Sequence, residues 1–127
     1  MTIPAVSIVE FDHLVLKCTD IEATLHWYTT ELGLAPVRLD QWRAGKVPFP
    51  SLRVNAHTII DLVLGDTTDG RLDHICLVVE PTDFDEIAAG GRFEVLDGPG
   101  LRFGARGDGT SLYIRDPDGT TVELRYY

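Results

Sequence analysis

Two stretches of this chain repeat one another across half its length. Phe11-Asp12-His13-Leu14-Val15-Leu16 returns as Leu72-Asp73-His74-Ile75-Cys76-Leu77. The two histidines are 61 residues apart in a chain of 127. A second echo follows at nearly the same interval: Thr58-Ile59-Ile60-Asp61-Leu62 and Thr120-Thr121-Val122-Glu123-Leu124, with the carboxylates 62 residues apart. A module that opens on a histidine, closes on a carboxylate and occurs twice restricts the fold to two related halves. It also has the form of a metal site split between them.

Each half reads in the same order. In the first, Phe11 to Lys17 has strand character, with His13, Val15 and Lys17 on one face. Thr19 is expected to cap a helix, with Glu22 in the capping-box position. Ile21, Leu25, Tyr28 and Leu32 follow at helical spacing, and Gly33 is placed to end the helix in a left-handed conformation. Ala35 to Leu39 reads as a short strand and Asp40 to Pro50 as a loop. Ser51 to Val54 and Thr58 to Leu64 read as a hairpin around Asn55-Ala56. Gly65 to Gly70 is polar and glycine-flanked, the natural linker.

In the second half, Leu72 to Val79 is a strand, and Thr82 or Asp83 caps a short helix ended by Gly90-Gly91. Phe93 to Leu96 is a strand, and the glycine-rich run from Gly98 to Gly109 reads as a loop. Ser111 to Arg115 and Thr120 to Arg125 flank the turn Asp116-Pro117-Asp118-Gly119. The expected class is therefore α+β, built from two βαβββ modules, about 8–65 and 71–127, in a single domain spanning 1–127. A sheet with a helix on one face needs cover for the other, and a second copy can supply it. The two sheets would then curve around one cavity, with His13, His74, Asp61 and Glu123 entering it.

Composition removes several partner classes. The formal net charge is −9, which repels the phosphates of nucleic acid and anionic membrane surfaces. No apolar run approaches the ~20 residues of a membrane span. The start, Met1-Thr2-Ile3-Pro4-Ala5, lacks the basic region of a secretory signal, so a cytoplasmic location is expected. Cys18 and Cys76 form no CxxC pair and read as small buried apolar residues.

Two segments carry a family resemblance. Tyr113-Ile114-Arg115-Asp116-Pro117-Asp118-Gly119-Thr120-Thr121-Val122-Glu123-Leu124 is similar to the closing hairpin of the vicinal oxygen chelate superfamily. Trp27-Tyr28-Thr29-Thr30-Glu31-Leu32-Gly33-Leu34 is similar to that family's first helix and its exit. The resemblance, to glyoxalase I, extradiol dioxygenases and the fosfomycin- and bleomycin-resistance proteins, runs from Phe11 to Tyr126.

It implies a divalent metal, Ni, Zn, Mn or Fe, held at the positions of His13, His74 and Glu123. Such a set leaves coordination positions open. Glyoxalase I adds a carboxylate where Asp61 stands, but there it is a glutamate, one methylene longer. Asp61 is thus a candidate ligand, a ligand through water, or a base beside the metal, and Asp61 and Glu123 are the candidate catalytic carboxylates. The implied chemistry is Lewis-acid stabilisation of an oxyanion or enediolate on a small-molecule substrate, with a carboxylate moving a proton.

A small ring-cleaving dioxygenase, a thiol-transfer resistance enzyme and a metal-free drug- or metabolite-binding protein are the alternatives. A homodimer is also implied. His26 and His57 read as surface and turn residues. Trp42, Arg43, Lys46, Arg102, Phe103 and Arg106 read as loop composition, or else as the rim of the cavity.

Overall fold

The computed structural model describes residues 3–127. Its elements in chain order are β1 (Ile8–Cys18), α1 (Ile21–Glu31), β2 (Ala35–Val37), α2 (Leu39–Arg43), β3 (Ser51–Asn55) and β4 (Thr58–Leu64) in the first half. The second half holds β5 (Leu72–Val79), α3 (Phe84–Ala89), β6 (Glu94–Gly104), β7 (Gly107–Arg115) and β8 (Thr121–Tyr126). All eight strands form one mixed sheet in the order β2-β3-β4-β1-β5-β8-β7-β6. The order reads the same outward from its centre: β1 lies parallel to β4, β5 lies parallel to β8, and β1 meets β5 antiparallel. The halves therefore join edge to edge as one continuous sheet.

That sheet curls until its outer edges approach. Arg38, immediately after edge strand β2, sets its guanidinium carbon 3.6 Å from the ring centre of Phe103 on the opposite edge strand β6. Arg53 on β3 donates to the carbonyl of Ala105, in the β6–β7 turn, at 2.8 Å. Contacts between strands so far apart in the sheet order require a curved sheet with a concave face.

Alternation along the strands sorts the residues between the two faces. On β1, Leu16 and Cys18 turn outward to a core beneath α1, made with Ile21, Leu25, Leu52 and Leu62. His13 and Val15 turn into the concave side. The second half repeats this, with Val79, Leu112, Ile114 and Leu124 packed on Phe84 of α3. Each helix thus covers the convex face of its own half. Cys18 and Cys76 are free and buried, as expected for small apolar residues. Among the described residues no helix is long and apolar enough to cross a membrane.

Six local readings need correction. Asp20, not Thr19, caps α1, accepting from the Ala23 amide at 3.1 Å. Glu22 then falls one position too early for a capping box and instead takes a two-bond ion pair with Arg43, at 2.9 and 2.8 Å. Leu32 is 56% exposed, because it is already the C-cap turning out of the helix at Gly33, whose φ is +70°.

The expected strand from Ala35 to Leu39 stops at Val37, and the expected loop opens with α2. That helix has one five-residue turn, too short for periodicity to register, and it is held by Leu39 and Trp42 against the first core. The largest difference is the run from Gly98 to Gly109, which is the long hairpin of β6 and β7 rather than a loop. Two of its glycines, Gly104 and Gly109, make room for a fully buried arginine, Arg125. A Cβ on Gly104 would overlap the Arg125 guanidinium, and one on Gly109 would sit 2.9 Å from the Tyr126 carbonyl oxygen. Close packing explains Gly104 and Gly109, whereas Gly107, with φ +93° and nothing near its Cβ position, forms the turn.

Candidate metal centre

Register brings the echoed residues to the middle of the sheet. His13 pairs with Cys76 across β1–β5, and Cys76 pairs with Glu123 across β5–β8. Val15 stands opposite both His74 and Asp61. The result is a compact group on the concave face. Nε2 of His13 lies 3.2 Å from Oε1 of Glu123, and Nε2 of His74 lies 3.0 Å from the same oxygen. The imidazoles stand nearly perpendicular, with ring centres 5.6 Å apart. Three potential donor atoms, one each from His13, His74 and Glu123, all lie within 4.8 Å of one another. Donor atoms at about 2.1 Å from a first-row cation are themselves about 3 Å apart, so this set fits such an ion.

Each histidine is oriented from behind. Nδ1 of His13 donates to Asp12 at 2.6 Å, and Nδ1 of His74 donates to Asp73 at 2.8 Å. A carboxylate only accepts, so each bond fixes a proton on Nδ1 and turns Nε2 toward the shared centre. Asp12 is itself held by the Ala105 amide at 3.0 Å and by the Tyr127 hydroxyl. The Arg125 guanidinium lies 3.6 Å from it. The carboxylates are oriented in a matching way. Ser111 donates to Oε2 of Glu123 at 2.7 Å, and Ser51 donates to Oδ1 of Asp61.

Asp61 faces the same space from β4 and is buried. Its Oδ2 lies 3.6 Å from Nε2 of His13, outside the tight group of three. The one-methylene difference from the glutamate of the other half is thus expressed as distance.

Burial and neighbouring charge separate these groups electrostatically. Burial opposes ionisation of His13, but hydrogen bonds to Asp12 and Glu123 outweigh it and push its pKa up to about 9. His74 is raised too, because Glu123 and Asp73 outweigh its burial. Burial works against the Glu123 carboxylate as well, yet the bonds from both histidines hold it well below the ordinary range. Asp61 goes the other way. Burial raises it, with a contribution from the Glu123 charge, and His13 and Ser51 offset this only in part. Two carboxyl groups with pKa values pushed apart suit different roles, one as an ionised ligand and one as a proton carrier.

The site opens into a cavity of about 300 Å³ whose walls carry Val15, Val63, Phe49, Phe103 and Tyr113 beside Arg38 and Arg102. Of the loop residues considered from sequence, Arg102 and Phe103 line it. Trp42 packs on the first core, Arg43 pairs with Glu22, and Arg106 pairs with Glu10. His26 and His57 are exposed. Sequence reasoning passed over Ser51, Ser111 and Arg38. For the serines a signal was present: both lie on the strand preceding the echoed carboxylate, 10 and 12 residues before it.

No protein-family model matches the chain. Individual relatives do. The virulence protein STM3117 of Salmonella typhimurium is 34% identical over 122 residues, covering 91% of this chain and 83% of that protein. The glyoxalase domain-containing protein RDO1 of Mycosarcoma maydis is 32% identical over 126 residues, covering 95% and 70%. Among solved structures, the Mn(II)-bound glyoxalase of Novosphingobium aromaticivorans superposes with a TM-score of 0.70 at 22% identity. The match covers 95% of this chain and 40% of that one, and it speaks for the fold. From the duplicated sheet, the site at its centre and these likenesses together, the chain belongs to the vicinal oxygen chelate superfamily, to which the glyoxalases belong.

Proposed function

We propose that this chain is a metal-dependent, glyoxalase I-like enzyme acting on a small molecule. In this reading His13, His74 and Glu123 hold a divalent cation, Ni, Zn, Mn or Fe. The observation that supports it most is the convergence of two Nε2 atoms on one carboxylate oxygen at 3.2 and 3.0 Å, each imidazole anchored by its own aspartate. A bound cation would supply Lewis-acid stabilisation of negative charge developing on substrate oxygens. The protein's residues supply the rest.

Glu123 stays ionised as a ligand, and Ser111 fixes its second oxygen. Asp61, buried and with a raised pKa, takes a proton from one substrate carbon and returns it to the neighbouring one. Ser51 holds the inner oxygen of Asp61, which leaves Oδ2 as the working atom. The apolar wall of Val15, Val63 and Phe103 limits water around the reacting carbons. This reading takes residues 1–127 as one domain, with modules of about 8–65 and 71–127 and the site between them, working as a cytoplasmic homodimer.

The test is isomerisation of a thiol–methylglyoxal adduct by metal-loaded protein, run beside oxygen uptake with catechols. Isomerisation that falls sharply in Asp61→Asn supports the reading. Oxygen uptake without isomerisation moves the assignment to ring cleavage. Tight ligand binding by metal-stripped protein, with turnover in neither assay, moves it to a binding protein.

A further inference from the structure

The cavity contains a cation that the proposed metal chemistry does not use. Arg38 lines the same space as His13, His74, Asp61 and Glu123. Its guanidinium lies between two rings, 3.6 Å from the centre of Phe103 and 4.8 Å from that of Phe49. One terminal nitrogen donates to the Phe49 carbonyl at 3.1 Å. The Nε atom is buried with no hydrogen-bond partner. Among the described residues, no carboxylate forms an ion pair with Arg38.

The other arginine of the cavity differs in having a carboxylate partner. Arg102 pairs with Asp97 at 2.8 Å and also donates to the Leu101 carbonyl. A guanidinium with no carboxylate partner is suited to receive a planar anion. In a molecule of net charge −9, anions are repelled except where cations are gathered. Arg38 is also the one non-glycine residue with a positive φ, +59°, among the described residues. That conformation turns the chain between β2 and α2, at the point where the side chain enters the cavity.

We infer that Arg38 is the anion-recognising residue of this site, and that the substrate carries a carboxylate at the end remote from its metal-binding oxygens. This rests on the metal reading above. The cavity's volume of about 300 Å³ suits a compact carboxylic acid with a short apolar body. The Phe49 and Phe103 rings, inclined at 63° to one another, bracket the guanidinium and add cation–π attraction that holds it in place.

Paired probes test this. Alkyl hydroxamates chelate the metal, and each has a partner of equal length ending in a carboxylate. With Mn²⁺-loaded protein at low salt, and tails of two to four carbons, the carboxylate partner should bind about tenfold tighter at one length or more. Arg38→Gln should bring that ratio to near one, Arg38→Lys should keep part of it, and Arg102→Gln should keep most of it. The inference is overturned if no tail length shows a preference, if the preference survives Arg38→Gln, or if Arg102→Gln alone removes it.

A metal-free arm separates the two readings. Binding of 4,4,4-trifluorobutanoate, followed by fluorine NMR against trifluorobutanol, should depend on Arg38 with no metal present. Hydroxamates that fail to bind while this dependence holds would count against the metal and for Arg38. Should Arg38→Gln fail to fold, the wild-type Nε–H signal of Arg38 decides. It shifts with the carboxylate probe and not with the alcohol, and an unmoved signal overturns the inference.

Discussion

Asp12 and Asp73 precede their histidines by one residue, and each accepts the Nδ1 proton of its own imidazole. Removing that acceptor frees the ring to rotate and to change tautomer. Asp12→Ala is therefore expected to weaken metal binding by about 10- to 100-fold while leaving the ligands intact, measured by competition with a chelating dye. Asp61 acts on a different quantity. Asp61→Asn should lower turnover by about 10²- to 10⁴-fold with metal content unchanged, and a loss of metal along with activity would instead make Asp61 a ligand.

The pH dependence follows from His13. Despite its burial, hydrogen bonds to Asp12 and Glu123 push its pKa up to about 9, from an ordinary 6.5. The bonds that raise it stabilise the metal-free fold fully below pH 6.5 and are lost as pH rises through 9. A cation needs both rings neutral, and His74 is raised as well, so between pH 7 and 8 calorimetry should find metal affinity rising by about tenfold or more as at least one proton is released. A flat or falling affinity would contradict that assignment. At this scale the sequence was legible where it repeated itself: His13, His74, Asp61 and Glu123 were all nameable from the echo. Arg38 was not, since a lone arginine in a stretch without periodicity carries no signal until Phe49 and Phe103 fold around it.

Among the elements, β6 and β7 show where sequence reading stopped. Their glycines, read singly, signal a loop. For Gly104 and Gly109 the cause lies in Arg125, a residue of another strand whose guanidinium occupies the space a side chain would fill. Such a cause is long-range and leaves no mark in local composition. Gly104→Ala should accordingly destabilise the fold by about 1–3 kcal/mol through overpacking, visible as a lower melting temperature. An unchanged melting temperature would show that the buried arginine moves aside. The Arg125→Met variant should behave differently. It leaves Asp12 with fewer partners, and its main effect should be on His13 and on metal affinity. The helix caps are local by comparison. Asp20 caps α1 through its own bond to the Ala23 amide, while Glu22 pairs with Arg43 on α2, a contact made only after the chain has folded back.

Over the whole molecule, duplication accounts for both the sheet and the site. Four strands on either side of the β1–β5 seam curl until β2 and β6 draw together, linked by Arg38 and Phe103. One half brings His13 and Asp61 to the concave face, and the other brings His74 and Glu123. Neither half holds a complete site. The α+β class and the order of elements other than α2 followed from periodicity and turn chemistry. How the halves would meet, edge to edge in a single sheet, depended on backbone pairing that side-chain patterns do not encode. The central claim is that the two halves share one cation. Elemental analysis of the purified protein, after saturation with Mn²⁺ and removal of excess, tests it most directly. The expected result is one metal ion per chain in the wild type, lost equally in His13→Ala and His74→Ala. Binding that survives either substitution, or a wild type that retains no metal, would contradict it.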